Sequence, residues 1–260
     1  MDRFTSRRGV LCGGLALGVG AFLPGAVFAQ SGHRGDMRLG DFPVAGNGEV
    51  LDQIRHVATA ERVIAMTFDD GPHQILTPQV LDILAARQIK ASFFVIGNRV
   101  AQMPALVARI AQEGHEIGNH SWSHPHMGQL PDHAVLNQID RTVDAVMTAT
   151  GHRPVLMRPP YGDFTMPQSR MVRLARNMPT IMWSVDPQDW RRPGGFAIAD
   201  HIIRHAAPGS IVLAHDTVND TIRNLPHALD TLLAQGYRFV TISELIGFPA
   251  STYRAAARAT

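Results

Sequence analysis

Residues 64–73 read IAMTFDDGPH, and the parsing of that stretch decides the fold. The run from Val63 to Phe68 is almost wholly apolar and β-branched or aromatic at several positions, and a Gly-Pro pair bounds it. It reads as a buried strand that ends in a turn. At that end stand two adjacent carboxylates, Asp69 and Asp70. Like charges side by side repel, and burial penalises both. The pair therefore calls for a compensating positive charge.

Working outward, further strands are expected at 91–96, 116–118, 155–158, 181–185, 210–214 and 238–241. Helices are expected at 77–87, 104–112, 131–150, 166–176, 196–205 and 226–235. Thr77-Pro78 has the form of an N-cap followed by Pro at the first helical position. Gly114 and Gly236 follow two of the helices as C-terminal stops. Repeated strand–helix alternation implies an α/β protein with a parallel sheet and helices outside. With seven strands, a closed or nearly closed barrel is the natural solution. The 260 residues suit one main domain, read as residues 61–248, with a Gly/Asp/Pro-rich arm at 30–60 and a basic, Ala-rich tail at 249–260.

The first 29 residues have another character. Arg7 and Arg8 precede an apolar run, and AVFAQ (26–30) offers a cleavage site after Ala29. This is the layout of an export leader, and the paired arginines resemble a twin-arginine signal. The chain is expected in the periplasm, with no stable membrane anchor once the leader is cut. The leader carries three arginines and one aspartate, so the remainder of a chain of formal charge +2 has none. Nothing there marks a nucleic-acid partner, and no protein partner is read. The single cysteine, Cys12, lies in the leader, so Cys is excluded as nucleophile or metal ligand in the mature part.

Polar residues with chemical potential gather just after the expected strands: Asp69 and Asp70, His120 and His124 in NHSWSH, Arg158 and Tyr161 in RPPYG, Asp186, Asp189 and Trp190 in DPQDW, and His215 in LAHD. In a parallel barrel these loops share the C-terminal rim. His120 and His124, four apart, share one face if they lie on a helical turn, and Asp70 supplies a carboxylate to complete a two-His, one-acid metal site with open positions. Zinc is the default ion, with cobalt, nickel or manganese as alternatives. A cation on Asp70 leaves Asp69 free to stay ionised and take a proton from water, with Arg158 orienting it. His215 has the intrinsic pKa for a second proton transfer, and Asp186 is read as its partner. His126 and His133 are read as surface residues.

In order, TFDDGP, HSWSH, RPPYG, DPQDW and LAH resemble the five motifs of the NodB-homology polysaccharide deacetylases, carbohydrate esterase family four. GYRFVTISEL (236–245) resembles that family's last strand and helix. The resemblance implies a distorted (β/α)7 barrel and metal-dependent removal of acetyl from N-acetylated sugars. Position by position, it implies Asp69 as general base and Asp70, His120 and His124 as metal ligands. It also implies Arg158 orienting Asp69, the backbone N–H of Tyr161 at the oxyanion, and His215 as general acid with Asp186 beside it. Trp190, Leu213, Tyr161 and Pro160 would face the substrate groove, and Asp189 would be structural. The expected partner is an acetylated glycan: peptidoglycan, a chitooligosaccharide or an exopolysaccharide. The alternatives are the same site acting on O-acetyl esters or a small cyclic imide or amide, and a carbohydrate-binding protein with a silent site.

Overall fold

The structure is a computed structural model that describes residues 52–247. The leader, the arm up to residue 51 and the tail from 249 lie outside the described residues. In chain order the elements are β1 (Gln53–Ile54), β2 (Val63–Asp69), α1 (Leu76–Ala85), β3 (Ser92–Val95), α2 (Gly97–Gln102), α3 (Pro104–Gln112), β4 (Glu116–Asn119), α4 (Asp132–Thr150), α5 (Met166–Arg176), β5 (Thr180–Ile181), α6 (Gly195–His205), β6 (Ile211–His215), α7 (Asn219–Ala234), β7 (Arg238–Phe239) and α8 (Ile242–Ile246). No helix among the described residues is long and apolar enough to cross a membrane.

All seven residues of β2 are buried, as the apolar run requires. Its side chains alternate between two cores, the period of a strand. Ile64, Met66 and Phe68 pack under the helices with Leu81, Val107 and Leu229. Val63 and Ala65 point the other way, among Ile54, Phe94, Ile181 and Ile211. Thr67 and Asp69 continue that inward series. β2 pairs in parallel with β3, β6 and, at its start, β7, in a sheet ordered β4-β3-β2-β6. The register sets Asp69 beside His215, so two of the polar strand ends are neighbours by hydrogen-bond geometry alone. α8 sits with the inner core through Ile242 and Leu245. The buried carboxylate of Glu116 accepts from Ser92 Oγ and from the amide and hydroxyl of Ser243, fastening α8 to the starts of β3 and β4.

The ladders do not close into a continuous barrel. The expected strand at 155–158 is reduced to single bridges from Met157 to Asn119 and Thr180. Pro154, Pro159 and Pro160 flank it and lack the N–H a ladder needs. The expected strand at 181–185 is β5 followed by a bridge from Val185 to Val212. Ser184 and Val185 both donate to Ile211 O, at 3.0 and 3.2 Å, a two-against-one arrangement that interrupts pairing. These bridges complete the ring of a distorted (β/α) barrel.

Three further expectations are corrected. Residues 52–60 of the expected arm belong to the body. β1 pairs with β5, and buried Asp52 accepts from Arg173 Nε at 2.7 Å; a two-residue strand is too short to carry a period. Thr77 is not the cap of α1, whose first turn is instead satisfied by His73 Nδ1, accepting from the amides of Ile75 and Leu76. The helix expected from Pro226 begins at Asn219 and holds Pro226 inside it. A proline there costs about 3 kcal/mol, which burial of Ile222, Leu225, Leu229 and Leu232 offsets at about 1.5–3 kcal/mol per large side chain. By contrast, α5 coincides with its expected span, because Thr165 and Gln168 form the capping box that opens it.

Candidate active site

Successive residues of a strand face opposite ways, so two adjacent aspartates would not normally share a pocket. Asp70 escapes this rule with φ of 72°, in the left-handed region. That backbone costs roughly 1–3 kcal/mol in a non-glycine residue, and it brings both carboxylates to the same rim. Ser121, His124 and Tyr161 are left-handed as well, so strain is concentrated at this end of the barrel.

Asp69 is buried and held by Arg158, whose Nη1 donates to Asp69 Oδ1 and to Thr67 Oγ1, both at 2.7 Å. The remaining guanidinium donors reach Ile181 O and Met182 O, each at 3.1 Å. The group lies 4.2 Å from the Phe94 ring centroid. Burial pulls the Arg158 pKa down and the Asp69 charge opposes that pull. This is the compensating charge that the DD pair requires.

Asp70, His120 and His124 place their ligating atoms within 4.8 Å of one another. Asp70 Oδ1 is 3.0 Å from His124 Nε2 and 3.4 Å from His120 Nε2. It is buried and meets no hydrogen-bond geometry with a partner, the two imidazoles being its nearest polar neighbours. A buried carboxylate oxygen with two imidazole nitrogens around it and no hydrogen bond fits a divalent cation between the three. His120 Nδ1 lies 2.7 Å from Arg158 O. A carbonyl only accepts, so Nδ1 carries the proton and Nε2 keeps its lone pair for a metal. Burial alone would raise the Asp70 carboxyl, but His120, His124 and, more weakly, His215 hold it far below the usual carboxylate range. The His-x-x-x-His pair is not on a helix. It spans a loop in which Ser121 Oγ accepts from the His124 amide at 3.0 Å and Asn119 Oδ1 from the Ser121 amide at 2.9 Å.

Across the pocket, His215 Nδ1 pairs with Asp189 Oδ1 at 2.6 Å. Asp189 Oδ2 accepts from the His215 amide at 2.9 Å and from Thr221 Oγ1 at 2.7 Å. Burial acts to lower the imidazole pKa, but Asp189, then Asp69 and Asp70, raise it to about 9. Tyr161 sits in a 3-10 turn, Pro160–Gly162, and its backbone N–H donates to no other described residue. Asp69, Asp70, His120, His124, Tyr161, Trp190, Leu213 and His215 line one pocket, with Asp186, Pro159 and Trp183. The arrangement offers a fixed carboxylate, a trio of side chains that could hold a metal ion, an imidazole that favours its protonated form and a free amide donor around one cavity.

The sequence profile of the polysaccharide deacetylase family matches residues 56–179. A peptidoglycan N-acetylglucosamine deacetylase of Bacillus cereus is 41% identical over 199 residues, covering 74% of this chain and 92% of that protein. The chain belongs to the polysaccharide deacetylase family. A peptidoglycan N-acetylglucosamine deacetylase of Listeria monocytogenes is 43% identical over 190 residues, 73% of this chain and 40% of that protein; the chain thus spans about two fifths of that relative. A crystal structure of a peptidoglycan N-acetylglucosamine deacetylase bound to an N-hydroxybenzamide superposes with a TM-score of 0.72 at 32% identity, covering 75% of this chain and 92% of that one.

In this family member the profile match ends at residue 179, ahead of DPQDW and LAHD, and there the structure corrects the sequence reading. Asp186 does not partner His215: its Oδ1 accepts from the Gln188 amide at 2.8 Å, a local turn bond. Left-handed Gln188 redirects the chain into the 3-10 turn Asp189–Arg191, and Asp189 is the aspartate buried against the imidazole. Pro160 is buried and does not line the pocket, a place taken by Pro159 and Trp183. His126 is exposed, as expected of a surface residue, but it stacks on the Tyr161 ring at 4.2 Å and pairs with Asp163 at 3.1 Å. Tyr161 also meets His124 in a T-shaped contact with ring centroids 4.6 Å apart. No pattern in the sequence singles out His126 from the other histidines.

Proposed function

We propose that this chain is a metal-dependent hydrolase that removes acetyl from N-acetylhexosamine units of a glycan, exported to act outside the cytoplasm. The observation that carries the reading is the convergence of Asp70, His120 and His124 beside an Arg158-held Asp69, with the His215–Asp189 pair facing them across the pocket. Relatives named as peptidoglycan and chitooligosaccharide deacetylases support it, and the twin-arginine-like leader supports export.

A divalent ion held by Asp70, His120 and His124, proposed to be zinc, supplies Lewis acidity and lowers the pKa of water at the site. Asp69, oriented by Arg158, accepts the proton of the attacking water as its oxygen bonds to the acetamide carbon. The Tyr161 N–H donates to the acetyl oxygen as negative charge develops there. His215, kept protonated by Asp189, gives its proton to the nitrogen as the C–N bond breaks, leaving a free amine and acetate. Leu213 and Trp190 wall the space for the methyl group.

The test is acetate release from defined N-acetylated glycans and acetylated xylan, together with ring-opening of a cyclic imide, with metal content measured on the same sample. Release from the N-acetylated glycans, lost on chelation and regained with zinc, is expected. Hydrolysis that is indifferent to chelation, or confined to the ester or the imide, overturns the reading.

A further inference from the structure

Asp216 follows His215 at the end of β6 and takes no part in the chemistry above. It is fully buried. Its Oδ2 accepts from Thr77 Oγ1 at 2.5 Å, and Thr77 Oγ1 in turn accepts from the His73 amide at 2.7 Å. Its Oδ1 has no hydrogen-bond partner. The carboxyl group lies flat against Gly71: a Cβ built there would fall 2.3 Å from Oδ2 and 2.8 Å from Oδ1. Gly71 is outside the left-handed region, so its lack of a side chain answers to this close approach and not to its own backbone angles. The turn is fixed from its outer side as well. Ile96 N donates to Gly71 O at 2.9 Å, and Arg99 Nη1 donates to Asp70 O at 2.8 Å. Gly71 directly and His73 through Thr77 thus rest on one carboxyl group, and the strained Asp70 stands immediately before them. A side chain serving packing alone would be apolar at such a site, since a buried acid with an unpaired oxygen is destabilising.

We propose that Asp216 is a positioning residue for the metal site: its carboxyl group is the template on which the Asp70–His73 turn is folded, and it thereby sets the affinity for the divalent ion. The inference rests on the reading of Asp70, His120 and His124 as metal ligands. Groups behind metal ligands typically govern affinity by about 10–100-fold, and here the effect acts through backbone. Asparagine keeps the shape and the acceptor that Thr77 needs; alanine removes both.

The full chain, stripped of metal, is titrated with zinc alone against a competing fluorescent chelator, with folding checked by circular dichroism. Asp216→Ala is expected to weaken zinc binding by about 10–100-fold, with KM for the glycan unchanged and kcat regained at saturating zinc. Asp216→Asn is expected to stay within about threefold of the parent. A folded Asp216→Ala protein with parental zinc affinity overturns the proposal. If that variant does not fold, Thr77→Val decides, because it removes the hydroxyl through which Oδ2 holds the His73 amide: weakened zinc binding supports the proposal and unchanged binding overturns it. A parent protein that takes up no zinc sinks the metal-site reading itself, whereas parental uptake with indifferent variants sinks this inference alone.

Discussion

Replacing Asp189 by asparagine removes a charge from the side of His215 while keeping the shape of the site. The imidazole is raised from 6.5 to about 9 against the effect of burial, by Asp189 foremost and by Asp69 and Asp70 behind it. Its side chain is 13% exposed, so solvent screens little of this. At about 1.4 kcal/mol per tenfold change in proton affinity, the folded site, burial included, favours the imidazolium by a net of about 3 kcal/mol. Between those two pH values the folded chain holds a proton that the unfolded chain has released. The stabilisation is therefore complete below 6.5 and is lost as pH rises through about 9. Asp189→Asn is expected to lower the alkaline limb of kcat/KM for acetate release by at least about one pH unit, and to move the alkaline loss of stability with it. Asp186→Asn is expected to leave the limb in place, since that carboxylate faces the Gln188 amide. The assay is a pH profile of acetate release, paired with an NMR titration of His215 in metal-free protein. An alkaline limb that stays put in Asp189→Asn, or that moves in Asp186→Asn, refutes the assignment.

Arg158→Met leaves Asp69 buried without its partner and should cost about 3–5 kcal/mol in urea unfolding, a large share of a typical stability of about 5–15 kcal/mol; a loss below about 1 kcal/mol would mean that the pair is not what holds Asp69. His120→Ala and His124→Ala should each abolish stoichiometric zinc uptake by elemental analysis, and full uptake by either variant removes that residue from the ligand set. Trp190 is 53% exposed at the pocket wall, so Trp190→Ala should change stability by less than about 0.5 kcal/mol yet raise KM for a glycan oligomer by roughly 3–10-fold; an unchanged KM argues against contact with the sugar.

What local sequence determined is the set of features whose cause is local. The apolar run of β2, the capping box of α5 and the chemistry-bearing residues after each strand follow from local pattern and composition, and a parallel arrangement then places those strand ends at one rim. The convergence of Asp70, His120 and His124 was legible for the same reason: only a few residue types can hold a cation, and those at 70, 120 and 124 follow strands. Tertiary structure decided everything that depends on which chain segment lies alongside. Asp186 and Asp189 are three residues apart in one loop, and nothing in DPQDW says which one turns inward; left-handed Gln188 and the Thr221 hydroxyl on a distant helix do. β1 and the bridges at Met157 are too short to have a period and exist only because β5 and Asn119 are beside them. The two aspartates of the opening stretch meet one pocket because Asp70 accepts a left-handed backbone, held by contacts from Arg99 and Ile96 that no local pattern encodes.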